Sequence, residues 1–126
     1  MLVPEELRYT SDHEWVRSEG ANWRIGVTDY AQDALGDVVF VQLPDPGAHY
    51  AAGDSVGEVE STKSVSDIYI PLGGSVVEAN TELSATPQLL NQDPYGEGWI
   101  ALIEPDDPGA FEGLLDAEAY RALISG

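Results

Sequence analysis

The sequence contains no cysteine, one methionine and only five basic residues. Without cysteine there is no disulfide framework, no thiolate nucleophile and no cysteine-based zinc site, and the redox compartment stays open. The five basic residues face 23 acidic ones, for a formal net charge of −18. Such a balance argues against nucleic acid and anionic membrane surfaces as partners. It favours basic protein surfaces, met quickly and released in salt, with solubility alone as the plain alternative. No apolar run approaches the roughly 20 residues needed to span a bilayer. Met1-Leu-Val-Pro-Glu-Glu-Leu-Arg8 has neither the apolar core of a signal peptide nor an arginine-rich transit pattern. The expectation is a soluble protein, made without a targeting segment or seen after its removal. Two histidines, His13 and His49, do not make a metal site by their spacing. His13 reads as a packing or hydrogen-bonding residue beside Trp15. Gly96-Glu-Gly98 lacks the third glycine of a dinucleotide fingerprint, and nothing spaces Ser, His and Asp as a triad.

What is present stands out against these absences. Four of the basic residues are arginines, and Lys63 is the single lysine. Lysine alone among the ordinary side chains offers a primary amine on a long flexible stem. That suits it to carry a group through an amide bond. A surface lysine paired with a carboxylate is the ordinary alternative, but a chain that excludes lysine everywhere else weakens it.

Hydrophobic residues make up 43% of the 126 residues, enough for one globular domain spanning 1–126. Turn signals are frequent and apolar runs short, the rhythm of a mainly β fold. Arg24–Thr28 reads as a strand. Asp37–Leu43 reads as the clearest one, with Val39, Val41 and Leu43 on one face and Val38 and Phe40 on the other. Two apolar faces predict a central, covered strand. Trp99–Ile103 reads as a late strand of the same kind. A short helix between Thr28 and Gly36 would bury Ala31, Ala34 and Leu35, with Gly36 as its stop. Thr86-Pro87 has the form of a helix start running through Leu89 and Leu90. Asp107-Pro108 and Asp116 look like two more, and Tyr120, Leu123 and Ile124 would be the last helix's apolar stripe. Trp15, Trp23 and Trp99 read as core anchors.

Gly53-Asp-Ser-Val-Gly-Glu-Val-Glu60 resembles Gly73-Gly-Ser-Val-Val-Glu-Ala-Asn80, a short internal repeat. The two units flank the lysine segment. Val56, Val59, Val65, Ile68 and Ile70 are strand formers on either side of the polar run Glu60-Ser-Thr-Lys-Ser64. The reading is a β-hairpin with Lys63 at its tip, its turn supported by Ser and Thr. Glu58, Glu60 and Asp67 would surround the amine with negative potential and keep it protonated. A nucleophilic lysine needs the opposite surroundings. Lys63 is therefore an attachment point and not a Schiff-base residue.

Five blocks, in order, resemble the H protein family of the glycine cleavage system. They are Tyr9–Val16 (YTSDHEWV), Ile25–Val41, Glu60–Asp67 (ESTKSVSD), Asn91–Trp99 (NQDPYGEGW) and Leu114–Tyr120 (LLDAEAY). Together they cover nearly the whole chain. The resemblance implies a barrel-sandwich hybrid: two β-sheets with the lysine at a hairpin tip, N-terminal strands from the start of the chain, a core hairpin around 53–80 and a C-terminal helical segment from about 107. It implies lipoic acid in amide linkage to Lys63, with Glu60 and Ser61 in the modification motif. It also implies a non-catalytic carrier, cytoplasmic or in a mature mitochondrial form. Such a carrier takes an aminomethyl group from a pyridoxal-phosphate glycine decarboxylase and passes it to a tetrahydrofolate-dependent aminomethyltransferase. A dihydrolipoamide dehydrogenase reoxidises it, and a lipoate ligase or octanoyl/lipoyl transferase loads it. The family folds its loaded arm into a cleft where acidic groups hold the cationic amine. That role falls here on Glu14 and Asp67, with Asp12 at a further polar position. Ordinary surface acidity is the alternative for these three.

Competing readings follow from the same residues. Biotin carriers flank their lysine with methionines, whereas Thr62 and Ser64 flank Lys63. A lipoyl relay that supplies other enzymes, and an unmodified acidic interaction module, remain as alternatives.

Overall fold

The computed structural model describes residues 2–125, which form two antiparallel sheets with short helices at their margins. The strands are β1 (Arg8–Tyr9), β2 (Glu14–Glu19), β3 (Asn22–Val27), β4 (Val38–Gln42), β5 (His49–Tyr50), β6 (Ser55–Ser61), β7 (Val65–Tyr69), β8 (Gly74–Ala79) and β9 (Ala101–Pro105). The helices are α1 (Asp29–Leu35), α2 (Glu82–Ala85), α3 (Leu89–Gln92) and α4 (Ala117–Ser125), with a 3-10 turn at Pro108–Gly113. One sheet has the order β1-β2-β3-β9-β8-β5 and the other β4-β6-β7. The architecture is barrel-sandwich-like and not a closed barrel.

The main core lies between the sheets. Trp23, Ile25 and Ile103 from the larger sheet meet Val41, Val59 and Ile68 from the smaller, all nearly inaccessible. A second cluster fixes α4 to the N-terminal strands. It contains Leu7, Tyr9, Trp15, Ala117 and Tyr120, and the rings of Tyr9 and Tyr120 stack at 4.6 Å. Removing such apolar area from water stabilises these contacts by ~25 cal/mol per Å². Trp15 needs a bare partner across the ladder. A Cβ on Gly26, its register partner, would lie 2.6 Å from the indole Nε1.

Several sequence expectations change at this level. The strand expected over Asp37–Leu43 is Val38–Gln42, and it is a sheet edge, not a covered central strand. An irregularity between Val38 and Phe40 breaks the alternation. Val38 and Val41 are buried, while Val39 and Phe40 are each about half exposed, at 51% and 52%. A bulge adds one residue and turns the following side chains to the other face. In α4 the buried residues are Ala117 and Tyr120, with Ile124 packed beside them, while Leu123 is exposed. The turn at Thr86 forms, but regular helix begins only at Leu89. The last strand starts at Ala101 and runs to Pro105. Trp15 and Trp23 are core residues; Trp99 is only partly buried, with the Arg24 guanidinium 4.3 Å above its ring. The two repeat units become β6 and β8, one in each sheet, and each carries a register shift.

Candidate functional site

The β6–β7 hairpin carries Lys63 in its connecting turn. Strand pairing runs from Ser55↔Tyr69 to Glu60↔Val65, so Thr62 and Lys63 occupy the tip. Ser61 builds the turn with one hydroxyl. Its Oγ accepts from the backbone N–H of Lys63 (3.2 Å) and Ser64 (3.1 Å), and donates to the Ser64 carbonyl (3.2 Å). The Ser61 N–H closes the turn on the same carbonyl at 2.8 Å. A hydroxyl that satisfies two backbone donors suits a short side chain at a turn. Ser61 is buried, whereas Thr62, Lys63 and Ser64 are exposed. The Lys63 amine has no carboxylate partner within 4.0 Å among the described residues. Its stem passes Gly36, where an added Cβ would lie 3.2 Å from Lys63 Cε. Gly36 also has φ +81°, a conformation open chiefly to glycine.

The acids of the hairpin sit along its length and not at its tip. Glu60 is exposed in the cross-strand row Phe40–Glu60–Val65. Glu58 lies opposite Asp67. Asp67 accepts from Ser55 Oγ at 3.2 Å and from the Tyr69 hydroxyl at 3.4 Å.

Beside the hairpin opens a cleft of about 320 Å³. It lies between β7, the entrance to β2 and helix α1. Asp12, Glu14 and Asp67 all line it, so three acids separated by up to 55 positions in the chain meet in one cavity. Asp12 and Asp67 are exposed, but Glu14 is only 2% accessible. Glu14 is thus no ordinary surface acid. Its Oε2 accepts from the Tyr69 N–H at 2.7 Å and its Oε1 from the Thr10 hydroxyl at 3.2 Å. Burial pushes its carboxyl up to about 8; the Tyr69 N–H opposes this, the Asp12 carboxylate adds to it, and the Thr10 hydroxyl opposes it.

Helix α1 forms the apolar wall. Thr28 caps it, its Oγ1 accepting from Ala31 N at 3.2 Å. No residue of α1 is fully buried. Of the stripe read as core, Ala31 and Leu35 pack against the main core as well as lining the cleft, while Ala34 lines the cleft and is exposed. The spacing signalled one apolar face, but periodicity does not distinguish a face turned to a core from one turned to a cavity.

Sequence reasoning gave His13 too little weight. It lines the cleft at φ +66°, its ring 4.7 Å from that of Tyr30, and its Nδ1 is 2.9 Å from the Tyr120 hydroxyl. Burial holds its pKa below the ordinary value, against the Asp12 carboxylate. Its partners are Tyr30 and Tyr120, not Trp15. Tyr30 was missed altogether. Nothing local marks it; only its place one turn before Ala34 on the α1 wall could have suggested it. His49 is remote, 2.8 Å from Asp106 on the surface.

The cleft and lysine suit a thin, flexible adduct with a cationic end: an accessible amine at the tip, an apolar wall, and carboxylates within. The chain is also similar to known proteins of one family. Residues 7–126 match the family model described as Glycine cleavage H-protein. The chain is 56% identical over 128 residues to the glycine cleavage system H protein of Mycobacterium avium (strain 104), covering 98% of this chain and 97% of that one. It is 48% identical over 126 residues to the protein of that name from Bacteroides thetaiotaomicron, with both chains covered in full. A crystal structure of a glycine cleavage system H protein from Mycobacterium marinum superposes with a TM-score of 0.89 at 42% identity, covering 98% of this chain and 100% of that one. With an apt cleft, the same fold and this similarity along the chain, it belongs to the glycine cleavage H-protein family.

Proposed function

We propose that this chain is the lipoyl carrier of a glycine cleavage system, with lipoic acid held in amide linkage by Lys63. The single observation that carries the reading is the pairing of site and cleft. The only lysine, without a carboxylate partner among the described residues, stands at a hairpin tip beside a cavity that contains a buried carboxylate. When attached, a lipoyl group supplies a disulfide–dithiol couple that can hold an aminomethyl group.

The chain's own residues do the remaining work. Ser61 holds the turn that presents Lys63 to other proteins, and Glu60 marks the outer face of the same hairpin. Ala31, Ala34 and Leu35 offer an alkyl chain a dry wall. Glu14 and Asp67, with Asp12 at the rim, hold a cationic amine. A protonated amine beside Glu14 favours its carboxylate form, opposing the upward push of burial, and a charge pair forms in partial shelter from water. Withdrawing the amine from water also slows its loss by hydrolysis.

The protein performs no chemical step itself. It raises the effective concentration of the arm at each docked active site. Its partners on this reading are a pyridoxal-phosphate glycine decarboxylase, a tetrahydrofolate-dependent aminomethyltransferase and dihydrolipoamide dehydrogenase. A lipoate ligase or an octanoyl/lipoyl transferase loads it. The net charge of −18 supports basic docking faces on these enzymes. We assign it to the cytoplasm, in keeping with its bacterial relatives.

Intact mass and peptide mapping of the protein from its native host test the proposal. A lipoyl increment on the peptide containing Lys63 is expected. A biotinyl increment, or an unmodified lysine in a host with active lipoylation, would overturn it.

A further inference from the structure

The Asn91–Trp99 block has no part in the site described above, yet its first side chain reaches it. Asn91 lies on α3, and its amide is fully used. Its Nδ2 donates to the Gly36 carbonyl at 2.8 Å and to Gln32 Oε1 at 3.1 Å. Its Oδ1 accepts from the Val38 N–H at 2.9 Å. Gly36 and Val38 are the neighbours of Asp37, so one side chain grips the backbone on both sides of that residue. The Asp37 carbonyl in turn accepts from the Thr62 N–H at 3.0 Å. With the Val38↔Ser61 pairing of β4 and β6, it ties the Lys63 turn to the chain leaving α1.

The apolar supports of this corner are Val38, buried in the main core, and Ala31 and Leu35, packed against it. Helix α1 buries no residue completely, and Gly36 rests in a conformation that most side chains avoid. Lys63 Cε already runs against Gly36. Beyond the β4–β6 ladder and that packing, the side-chain hydrogen bonds to the backbone of Gly36 and Val38 converge on Asn91. An asparagine meets this need and few other residues do. It supplies two donors and an acceptor on one short, planar group.

We propose that Asn91 is a positioning residue for the carrier arm: by bracketing Asp37 it fixes the Lys63 turn to the wall of the cleft. Asn91 makes no hydrogen bond to the lysine or to the cleft acids, and it acts through Gly36, Asp37 and Val38. Its effect on the arm rests on the carrier reading; its effect on the turn does not.

The test compares Asn91→Ala and Asn91→Asp with Val76→Ala, a core truncation in β8 that leaves this corner intact. Asn91→Asp keeps an acceptor for Val38 and loses both donors. Backbone amide exchange of Thr62 is first followed by NMR in the unmodified proteins. Both Asn91 variants are expected to speed Thr62 exchange about tenfold, the loss of roughly one hydrogen bond's protection. Val76→Ala is not. Release of the aminomethyl group is then timed from the lipoylated, loaded proteins, at a temperature where all are folded. Faster release from the Asn91 variants alone is expected. Thr62 exchange no faster than in Val76→Ala would overturn the proposal. So would faster exchange with unchanged release, since Asn91 would then anchor the tip without positioning the arm. Failure of the carrier reading itself would appear separately, as a Lys63 peptide without lipoyl.

Discussion

The Glu14 carboxyl group accepts a hydrogen bond from the backbone N–H of Tyr69 at 2.7 Å, joining the larger sheet to the smaller. One side chain is thus a structural tie and the buried acid of the candidate site. That double duty makes its titration observable in the stability of the fold.

The folded-state pKa of Glu14, about 8, lies above its ordinary value of 4.5. The folded state therefore holds a proton that the unfolded state has released between these values. Stability falls as pH rises through that window and is level, for this group, below and above it. Glu14→Gln keeps an acceptor for Tyr69 and removes the titration. The variant should gain stability relative to the parent as pH rises from about 5 to 8, by on the order of a few kcal/mol. Urea denaturation of both proteins across that range measures the difference. A constant difference would mean that Glu14 titrates normally.

Lys63→Arg keeps the charge on an exposed side chain. Stability should stay within about 0.5 kcal/mol of the parent. Lipoylation should be lost entirely, because guanidinium offers no amine for the amide. Mass spectrometry and reconstituted glycine cleavage are the readouts. Full glycine cleavage by the arginine variant would end the carrier reading.

Ser61→Ala removes the hydroxyl that two tip amides share. The Lys63 and Ser64 amides should exchange roughly fivefold faster, as expected for about 1 kcal/mol of lost hydrogen bonding. Modification of Lys63 by a lipoate ligase should slow, because the enzyme must then order the turn itself. Unchanged exchange would show that the backbone closure from Ser61 to Ser64 suffices.

Tyr120 anchors α4 behind the cleft. Its hydroxyl lies 2.7 Å from Thr28 Oγ1 and 2.9 Å from His13 Nδ1. Tyr120→Phe keeps the ring stacked on Tyr9, leaves His13 Nδ1 without this partner and leaves Thr28 Oγ1 with only the Ala31 N–H. A loss of about 1–3 kcal/mol in chemical denaturation is expected. A neutral result would mean that water replaces the hydroxyl.

Much of this was legible in the chain. The strand-forming runs around a polar centre marked the hairpin, and the single lysine marked its tip. The helix between Thr28 and Gly36 was readable because its apolar spacing and its glycine stop are both local. The errors share a cause. β4 looked central because both of its faces are apolar, yet a register shift turned two of those residues to solvent. Leu123 looked like core because Tyr120, Leu123 and Ile124 fit one stripe, but the second cluster accepts Ala117, Tyr120 and Ile124. Local pattern reports that a face is apolar and says little about what will meet it.

By itself, the sequence determined the chemistry on offer. It set one amine, no thiol, an excess of carboxylates, and the short-range turns and caps that depend on neighbours along the chain. Only the tertiary structure decided which carboxylate matters. Glu14 is one of 23 acids in the sequence and becomes distinct through burial against Tyr69, 55 positions away. Desolvation is set by everything that packs around a group, and that packing exists only once the two sheets have closed.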